Sequence, residues 1–409
     1  MFGVALEGGG AKGAYHIGAV KALIENGYKI DGVVGTSIGA FNAALIAQND
    51  FEKAYELWSD MQPSTLFNIE DNQMEVINKS GFTKESLRYL SEKAKEIIMN
   101  RGIDTSKLRN VVDTMVFEEE IRKSEVDFGM VTVSISDLTP LEILKDDIPK
   151  GKLNDYIMAS ANLPLFKSQP IDNKYYIDGG IYNNCPINLL ADKGYTDVVA
   201  VRTSQKEKLQ SVKCGNCNVV NIIPSEDLGG TLIFDNDLIR RNINLGYYDT
   251  IRFIKCLKGK KYYIEPADEK IFFHIINTIP DEIIFNIGKI FKLTDMNSKR
   301  MLFEEIVPII ADLLKLPKTA TYEDIFIELM EVIALERNVE KFKIYTINSF
   351  IDAIESSMPR EDKEKRKHRN ILNLKRLATE ILGTNMLDEV AYVIFDTLPL
   401  ELLKIEEDL

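Results

Sequence analysis

The sequence is poor in histidine and cysteine, its basic residues are outnumbered by acidic ones, and it contains no long apolar run. Only three histidines occur in 409 residues, His16, His274 and His368, so few side chains are available as an imidazole base. No stretch of 18 or more apolar residues appears, so no transmembrane helix is expected. Fifty Lys and Arg against 63 Asp and Glu leave a net charge of −13, which argues against a nucleic-acid partner. That balance does not exclude membranes, since a local basic or apolar patch can dock on a bilayer. Met1 to Leu6 reads as a strand, not as a basic segment followed by an apolar one. The expected location is therefore cytoplasmic, unless export uses a route that needs no N-terminal signal, with peripheral membrane contact left open. Cys185, Cys214, Cys217 and Cys256 are irregularly spaced. Cys214-Gly-Asn-Cys217 is a lone C-x-x-C without a second pair, and it reads as free thiols on a loop between strands.

What is present is ordinary for a folded protein: 45% hydrophobic and 28% charged residues, over a length that suits two or three domains. The informative stretch is Val33-Val34-Gly35-Thr36-Ser37-Ile38-Gly39-Ala40. It reads as a buried strand ending in G-x-S-x-G and running straight into a helix from Ala40 to about Gln48. A serine on such a turn has an exposed hydroxyl, and the flanking glycines let backbone pass close by. The positive end of the next helix favours negative charge developing there.

Upstream, a first strand runs into Gly8-Gly9-Gly10-Ala11-Lys12-Gly13, and a helix follows from about Ala11 to Asn26. The glycines match G-x-G-x-x-G, yet a dinucleotide site wants an acid at the far end of the second strand. Asp31 lies at the wrong end of Gly32 to Gly35. A Walker loop fails too, because Lys12 is followed by Gly13. Side-chain-free residues at a helix start leave backbone N–H groups available, as an oxyanion requires. Adjacent parallel strands would bring this loop beside the elbow; Lys12 is either a charge for the site or a solvated lysine.

Residues 51–125 read as a mainly helical insert, with helix starts at Gly81 to Ser86 and at Asp104-Thr105-Ser106. Phe128 to Ile135 is a buried strand, and Tyr156 to Phe166 a short helix ended by Pro164. Tyr175 to Gly180 is a strand delivering Asp178 into Gly179-Gly180, and Asp197 to Arg202 is a further strand. Taken alone, Asp178 in that setting is an ordinary turn aspartate.

Together these pieces resemble the patatin-like phospholipase family over roughly residues 2 to 255. The glycine loop, Gly35 to Gly39, Ala159-Ser160-Ala161-Asn162-Leu163-Pro164, and Asp178-Gly179-Gly180 occur in the family's order, and Gly246-Tyr247-Tyr248-Asp249 resembles a later family stretch. The resemblance implies a three-layer α/β/α domain with a mostly parallel central sheet, spanning residues 1–265. It implies a Ser37–Asp178 dyad, an oxyanion hole in Gly8, Gly9, Gly10, Ala11, Lys12 and Gly13, a nucleophile elbow of Gly35, Thr36, Ile38 and Gly39, and a motif role for Gly179 and Gly180. Many members have arginine in place of Lys12 and aspartate in place of Glu7. The implied activity is hydrolysis of phospholipid or lysophospholipid acyl esters without metal or cofactor. Acyl transfer or thioester cleavage through the same acyl-Ser37, and a non-catalytic lipid-binding relative, are the alternatives.

A histidine triad is not favoured by the residues. His274 lies in the apolar helix-like run Ile271 to Ile276, His16 comes too early, and His368 sits in the basic run Arg360 to Arg369. Residues 266–409 read as an all-α domain, with helices expected at Phe272–Ile279, Asp281–Lys292, Lys299–Leu314, Tyr322–Arg337, Ile347–Ser356, Lys363–Leu382 and Leu387–Leu403. Its role and the oligomeric state are not legible in the residues.

Overall fold

The computed structural model describes residues 1–61, 66, 103–164, 166, 167, 170–205, 209–211, 216–357, 386–397 and 403. The expected helix start at Gly81, the expected helix Lys363–Leu382, His368, the run Arg360 to Arg369 and Cys214 lie outside them. Two compact units are present, Met1–Ile251 and Arg252–Leu409.

The first unit is built on a seven-stranded sheet. Its strands are β1 (Phe2–Leu6), β2 (Gly32–Thr36), β3 (Asp127–Ser134), β4 (Thr139–Leu144), β5 (Tyr176–Asp178), β6 (Asp197–Val201) and β7 (Asn218–Ile222). They lie in the order β4-β3-β2-β1-β6-β7, with β5 added against β3. The pairs β1–β2, β1–β6, β2–β3 and β6–β7 are parallel, and β3–β4 and β3–β5 are antiparallel. The central strands are covered on both faces, which explains why Val4-Ala5-Leu6 and Val33-Val34 are continuous apolar runs with no alternation. Strand β4 was not expected from the sequence. Its Pro140 suits an edge strand, where a missing N–H breaks no ladder.

Helices α1 (Ala14–Glu25) and α2 (Ile38–Ala47) follow β1 and β2. The expected start of α1 at Ala11 is a 3-10 turn, Gly10–Gly13, because Gly10 adopts a positive φ of 57° and turns the chain before the helix begins. Helix α2 starts earlier than expected, at the residue after Ser37. Further helices are α3 (Phe51–Ser59), α4 (Ser106–Met115), α5 (Glu118–Lys123), α6 (Leu153–Ser160), α7 (Ile187–Ala191) and α8 (Asn236–Ile254). Helix α1 is buried nearly all round, as an apolar helix packed on several sides must be. Against α8 the approach is close enough that a Cβ on Gly18 would lie 1.8 Å from the Ile243 carbonyl oxygen, and one on Gly246 2.0 Å from that of Tyr15. Tyr15 donates its hydroxyl to Asp249 at 3.0 Å, so the late Gly-Tyr-Tyr-Asp stretch docks one helix on another.

The second unit is helical: Glu269–Asn277, Asp281–Ile290, Ser298–Arg300, a π-helical Met301–Ile306, Val307–Leu313, Tyr322–Glu336, Ile347–Ser356 and Met386–Thr397. One addition to the all-α expectation is a two-residue parallel pairing of β8 (Tyr263–Ile264) with β9 (Ile344–Tyr345). Its core gathers Phe272, Ile284, Ile333, Phe350 and Val390. Glu331 accepts the N–H groups of Lys260, Lys261 and Tyr262 at 3.1, 2.9 and 2.8 Å, and burial pushes its carboxyl up to about 7. His274 is exposed on its helix.

Candidate active site

The sheet register alone brings two of the expected residues together. Strand β2 runs up beside β3 and ends at Thr36, opposite Val131. Strand β5 runs down beside β3 and ends at Asp178, opposite Thr132. The two strands therefore approach each other head-on along one strand of the sheet, with Ser37 and Asp178 at their meeting ends. This is the carboxyl edge of the parallel strands, beside the switch point where β1 is flanked by β2 and β6, the usual ligand edge of such sheets.

Ser37 has φ 57° and ψ −126°, a conformation few side-chain-bearing residues adopt. Close packing over-determines it. A Cβ on Gly35 would lie 2.2 Å from the Gly39 carbonyl carbon, and one on Gly39 2.3 Å from the Leu6 carbonyl oxygen. Thr36 Oγ1 donates to the Asn183 carbonyl at 2.8 Å. The Ser37 N–H donates to Ser160 Oγ at 2.9 Å, and Ser160 Oγ donates in turn to the Val131 carbonyl at 2.7 Å. Ser160 thus ties the elbow to β3. Its motif was visible in the sequence, but this task was not, since the contact spans 123 residues.

Asp178 is buried, and its Oδ1 accepts the Gly180 N–H at 2.7 Å. Its Oδ2 is buried without a hydrogen-bond partner among the described residues. Loss of solvation pushes the carboxyl up from 3.8 to about 6, and the Ser37 hydroxyl and Gly180 N–H offset only part of that. Ser37 is close enough to favour the charged carboxylate but makes no well-formed bond to Oδ2, an arrangement common in sites without substrate. Gly179 has no room for a side chain, since its Cβ would meet the Val131 oxygen at 2.2 Å.

The glycine loop lies beside this pair, and its N–H groups divide into two sets. Gly8 donates to Asn184 at 2.9 Å, Ala11 to Thr231 at 2.8 Å and Lys12 to Gly9 at 3.3 Å. The N–H groups of Gly9, Gly10 and Ile38 have no partner among the described residues. Glu7, just before the loop, is buried and accepts from Arg202 Nε at 3.0 Å, Thr203 N–H at 2.6 Å and Ser204 N–H at 3.1 Å. Thr203 Oγ1 donates to the Gly8 carbonyl at 2.6 Å, so the end of β6 holds the loop in place. On the other side, Asn42 Nδ2 donates to the Gly13 carbonyl at 3.0 Å and accepts on Oδ1 from Trp58 Nε1 at 2.8 Å. His16 lies 3.3 Å from Asn42 Nδ2, and full burial lowers its pKa to about 3, which keeps the imidazole neutral.

A small cavity of about 60 Å³ is lined by Ala159, Asn162 and Tyr176 together with Arg109 and Asp155, and neither Ser37 nor Asp178 lines it. Among the described residues no group of three or more His, Cys, Asp or Glu is placed to hold a metal ion, and no helix is long and apolar enough to cross a membrane. Cys185 is buried, Cys217 half-buried and Cys256 exposed.

The family model described as patatin-like phospholipase matches residues 4–191. Patatin-like phospholipase domain-containing protein 6 of Homo sapiens is 30% identical over 212 residues, which are 50% of this chain and 13% of that protein. Neuropathy target esterase sws of Drosophila melanogaster is 27% identical over 295 residues, covering 66% of this chain and 18% of that one. Probable lipid hydrolase 463L of Invertebrate iridescent virus 6 is 24% identical over 241 residues, covering 56% and 80%. This chain thus spans only a small part of the first two relatives. Among solved structures, VipD from Legionella pneumophila aligns over 99% of this chain and 92% of its own, at 15% identity and a TM-score of 0.35. A chain of the ExoU–SpcU complex from Pseudomonas aeruginosa aligns over 97% and 76%, at 16% identity and a TM-score of 0.33.

Proposed function

Residues 4–191 belong to the patatin-like phospholipase family, and from that premise we propose that this protein is a serine lipid acyl hydrolase acting on phospholipid or lysophospholipid esters. The observation that carries the reading is the head-on approach of β2 and β5, which sets a strained Ser37 against a buried, partner-poor Asp178. The relatives named as phospholipase, esterase and lipid hydrolase support the same chemistry.

In the proposed course, Ser37 Oγ attacks the ester carbonyl carbon while its proton passes to Asp178 Oδ2. The carbonyl oxygen takes the negative charge and is met by the free N–H groups of Gly9, Gly10 and Ile38, helped by the N-terminal end of α2. Collapse of the tetrahedral adduct breaks the bond to the alcohol, which leaves with the proton from Asp178. Water then gives a proton to Asp178 and its oxygen to the acyl-Ser37 carbonyl, and the fatty acid departs as Ser37 recovers its proton. A carboxyl raised to about 6 is a stronger base than a surface aspartate and is still ionised at neutral pH.

The test is fatty-acid release from phospholipid vesicles and from a short-chain nitrophenyl ester. Both should proceed, and His274→Ala should retain wild-type rates, since that residue is exposed on a helix of the other unit. Silence on both substrates, or loss of activity in a folded His274→Ala protein, would contradict the dyad.

A pH profile gives a second check. Because Asp178 must be ionised to accept the proton, kcat/KM should be level above about pH 6 and fall tenfold per pH unit below it. A flat profile down to pH 4.5 would show that no such base is in use.

A further inference from the structure

Strands β3 and β5 do not stop at the site but continue past the edge of the sheet, and they end in large apolar side chains that the fold does not use. Ser134 and Tyr176 form the last strand pair, and both are buried. The next residues, Ile135 and Tyr175, remain joined by a 2.8 Å hydrogen bond, yet are 46% and 49% exposed. At the tip of the β3–β4 hairpin Leu138 is 85% exposed and has φ 56°, a conformation for which glycine or asparagine is the ordinary choice. Folding therefore gains nothing from a leucine there. Beyond Asp178, on the loop that reaches Thr36 through Asn183, Ile181 is 64% exposed.

Charge narrows the occupant. Asp137, beside Leu138, is paired with Lys174 at 2.8 Å, and Asp172 with Lys152 at 3.0 Å. The tip is thus apolar with its flanking charges neutralised, on a chain of net charge −13. Such a surface complements uncharged or zwitterionic headgroups, since Lys174 and Lys152 are already held by aspartates and are not left to attract anionic lipid. Size points the same way. A few protruding side chains fall short of the roughly 800 Å² per partner that a stable protein interface buries. Insertion into an acyl layer needs only apolar area removed from water, with tyrosine suited to the headgroup level.

We propose that Leu138, with Ile135 and Tyr175 beside it, inserts into a zwitterionic lipid surface and thereby presents the Ser37–Asp178 edge of the sheet to it. The inference rests on the lipid-hydrolase reading for its purpose, but its test does not depend on turnover. The full chain carrying Ser37→Ala is mixed with phosphatidylcholine vesicles and floated on a density gradient. It should float, and adding Leu138→Asp should lower the partition coefficient about tenfold, with an unchanged unfolding temperature, as expected for so exposed a residue. Raising salt from roughly 50 to 500 mM should change binding less than about twofold, because no ion pairs with lipid are involved. Leu138→Trp should float at least as well and shift its emission to the blue on vesicle addition.

Undiminished flotation of Leu138→Asp would overturn the proposal, as would an unshifted Leu138→Trp emission or binding that requires phosphatidylserine. So would a vesicle-free dimer that Leu138→Asp converts to monomer, which would identify a second copy of the chain as the occupant. If the Ser37→Ala protein floats as expected but the wild type releases no fatty acid, the hydrolase reading fails while the docking surface stands.

Discussion

Ser37→Ala and Asp178→Asn should each abolish turnover, and the second should at the same time make the protein more stable at neutral pH. Loss of the proposed nucleophile is expected to lower kcat by roughly 10⁴ or more, and loss of the proposed base by about 10² to 10⁴. The stability gain follows from the carboxyl being held near 6 when its ordinary value is 3.8. Below about pH 3.8 Asp178 is protonated in both folded and unfolded chains, and burial then carries no charge penalty. Between that value and about 6 the unfolded chain ionises first, so the folded state loses ground as pH rises. By pH 7 the full difference is in place, on the order of 3 kcal/mol. Asparagine has no charge to bury. Denaturant melts of Asp178→Asn and wild type should thus diverge from pH 4 to pH 7, with the variant ahead. A variant that is less stable than wild type at pH 7 by the same amount as at pH 4 would show that Asp178 bears no such penalty.

The second large effect is expected at Glu7, where a surface view of the loop suggests little. Glu7→Leu leaves Arg202 buried without its carboxylate partner, now held at 2.9 Å, and removes the acceptor for Thr203 and Ser204. Breaking one side of a buried ion pair costs about 3–5 kcal/mol. For a unit of this size the unfolding temperature should fall by roughly 10 °C. The double variant Glu7→Leu/Arg202→Leu should recover most of the loss, because no lone charge remains. Additive losses in the double variant would mean that the pair does not act as one. Glu7→Asp keeps the charge, but its shorter reach cannot span Arg202 and the Thr203–Ser204 N–H groups together, so an intermediate loss is expected.

Much of the first unit was readable because short-range rules govern it. Continuous apolar runs gave β1, β2, β3 and β6, and the glycines at 35 and 39 announced a turn that only they can fit. In the second unit helical periodicity and caps such as Thr321, whose hydroxyl accepts the Asp324 N–H at 3.2 Å, are equally local signals. The supports of the site are another matter. Glu7 meets Arg202 across 195 residues, Ser160 meets Ser37 across 123, and Asn42 joins Trp58 to the Gly13 carbonyl through side chains that look unremarkable in sequence. Strand β4 was missed because Pro140 and Glu142 mask its apolar residues, and an edge strand tolerates both. Among the six glycine-loop residues, the sequence could not distinguish donors already bonded from those left free.

Strand β3 contributes no side chain to the proposed chemistry, yet it acts as the gauge of the site. Thr36 is registered on Val131 and Asp178 on Thr132, so the gap between nucleophile and carboxylate is measured out by a single peptide unit of a third strand. One residue inserted or deleted there would move one end against the other by about 3.3 Å and turn its side chain to the opposite face. The tolerance of the site to change is therefore set in a strand that none of the signature motifs mentions, and length variation in this domain should fall in its loops and spare the middle of β3.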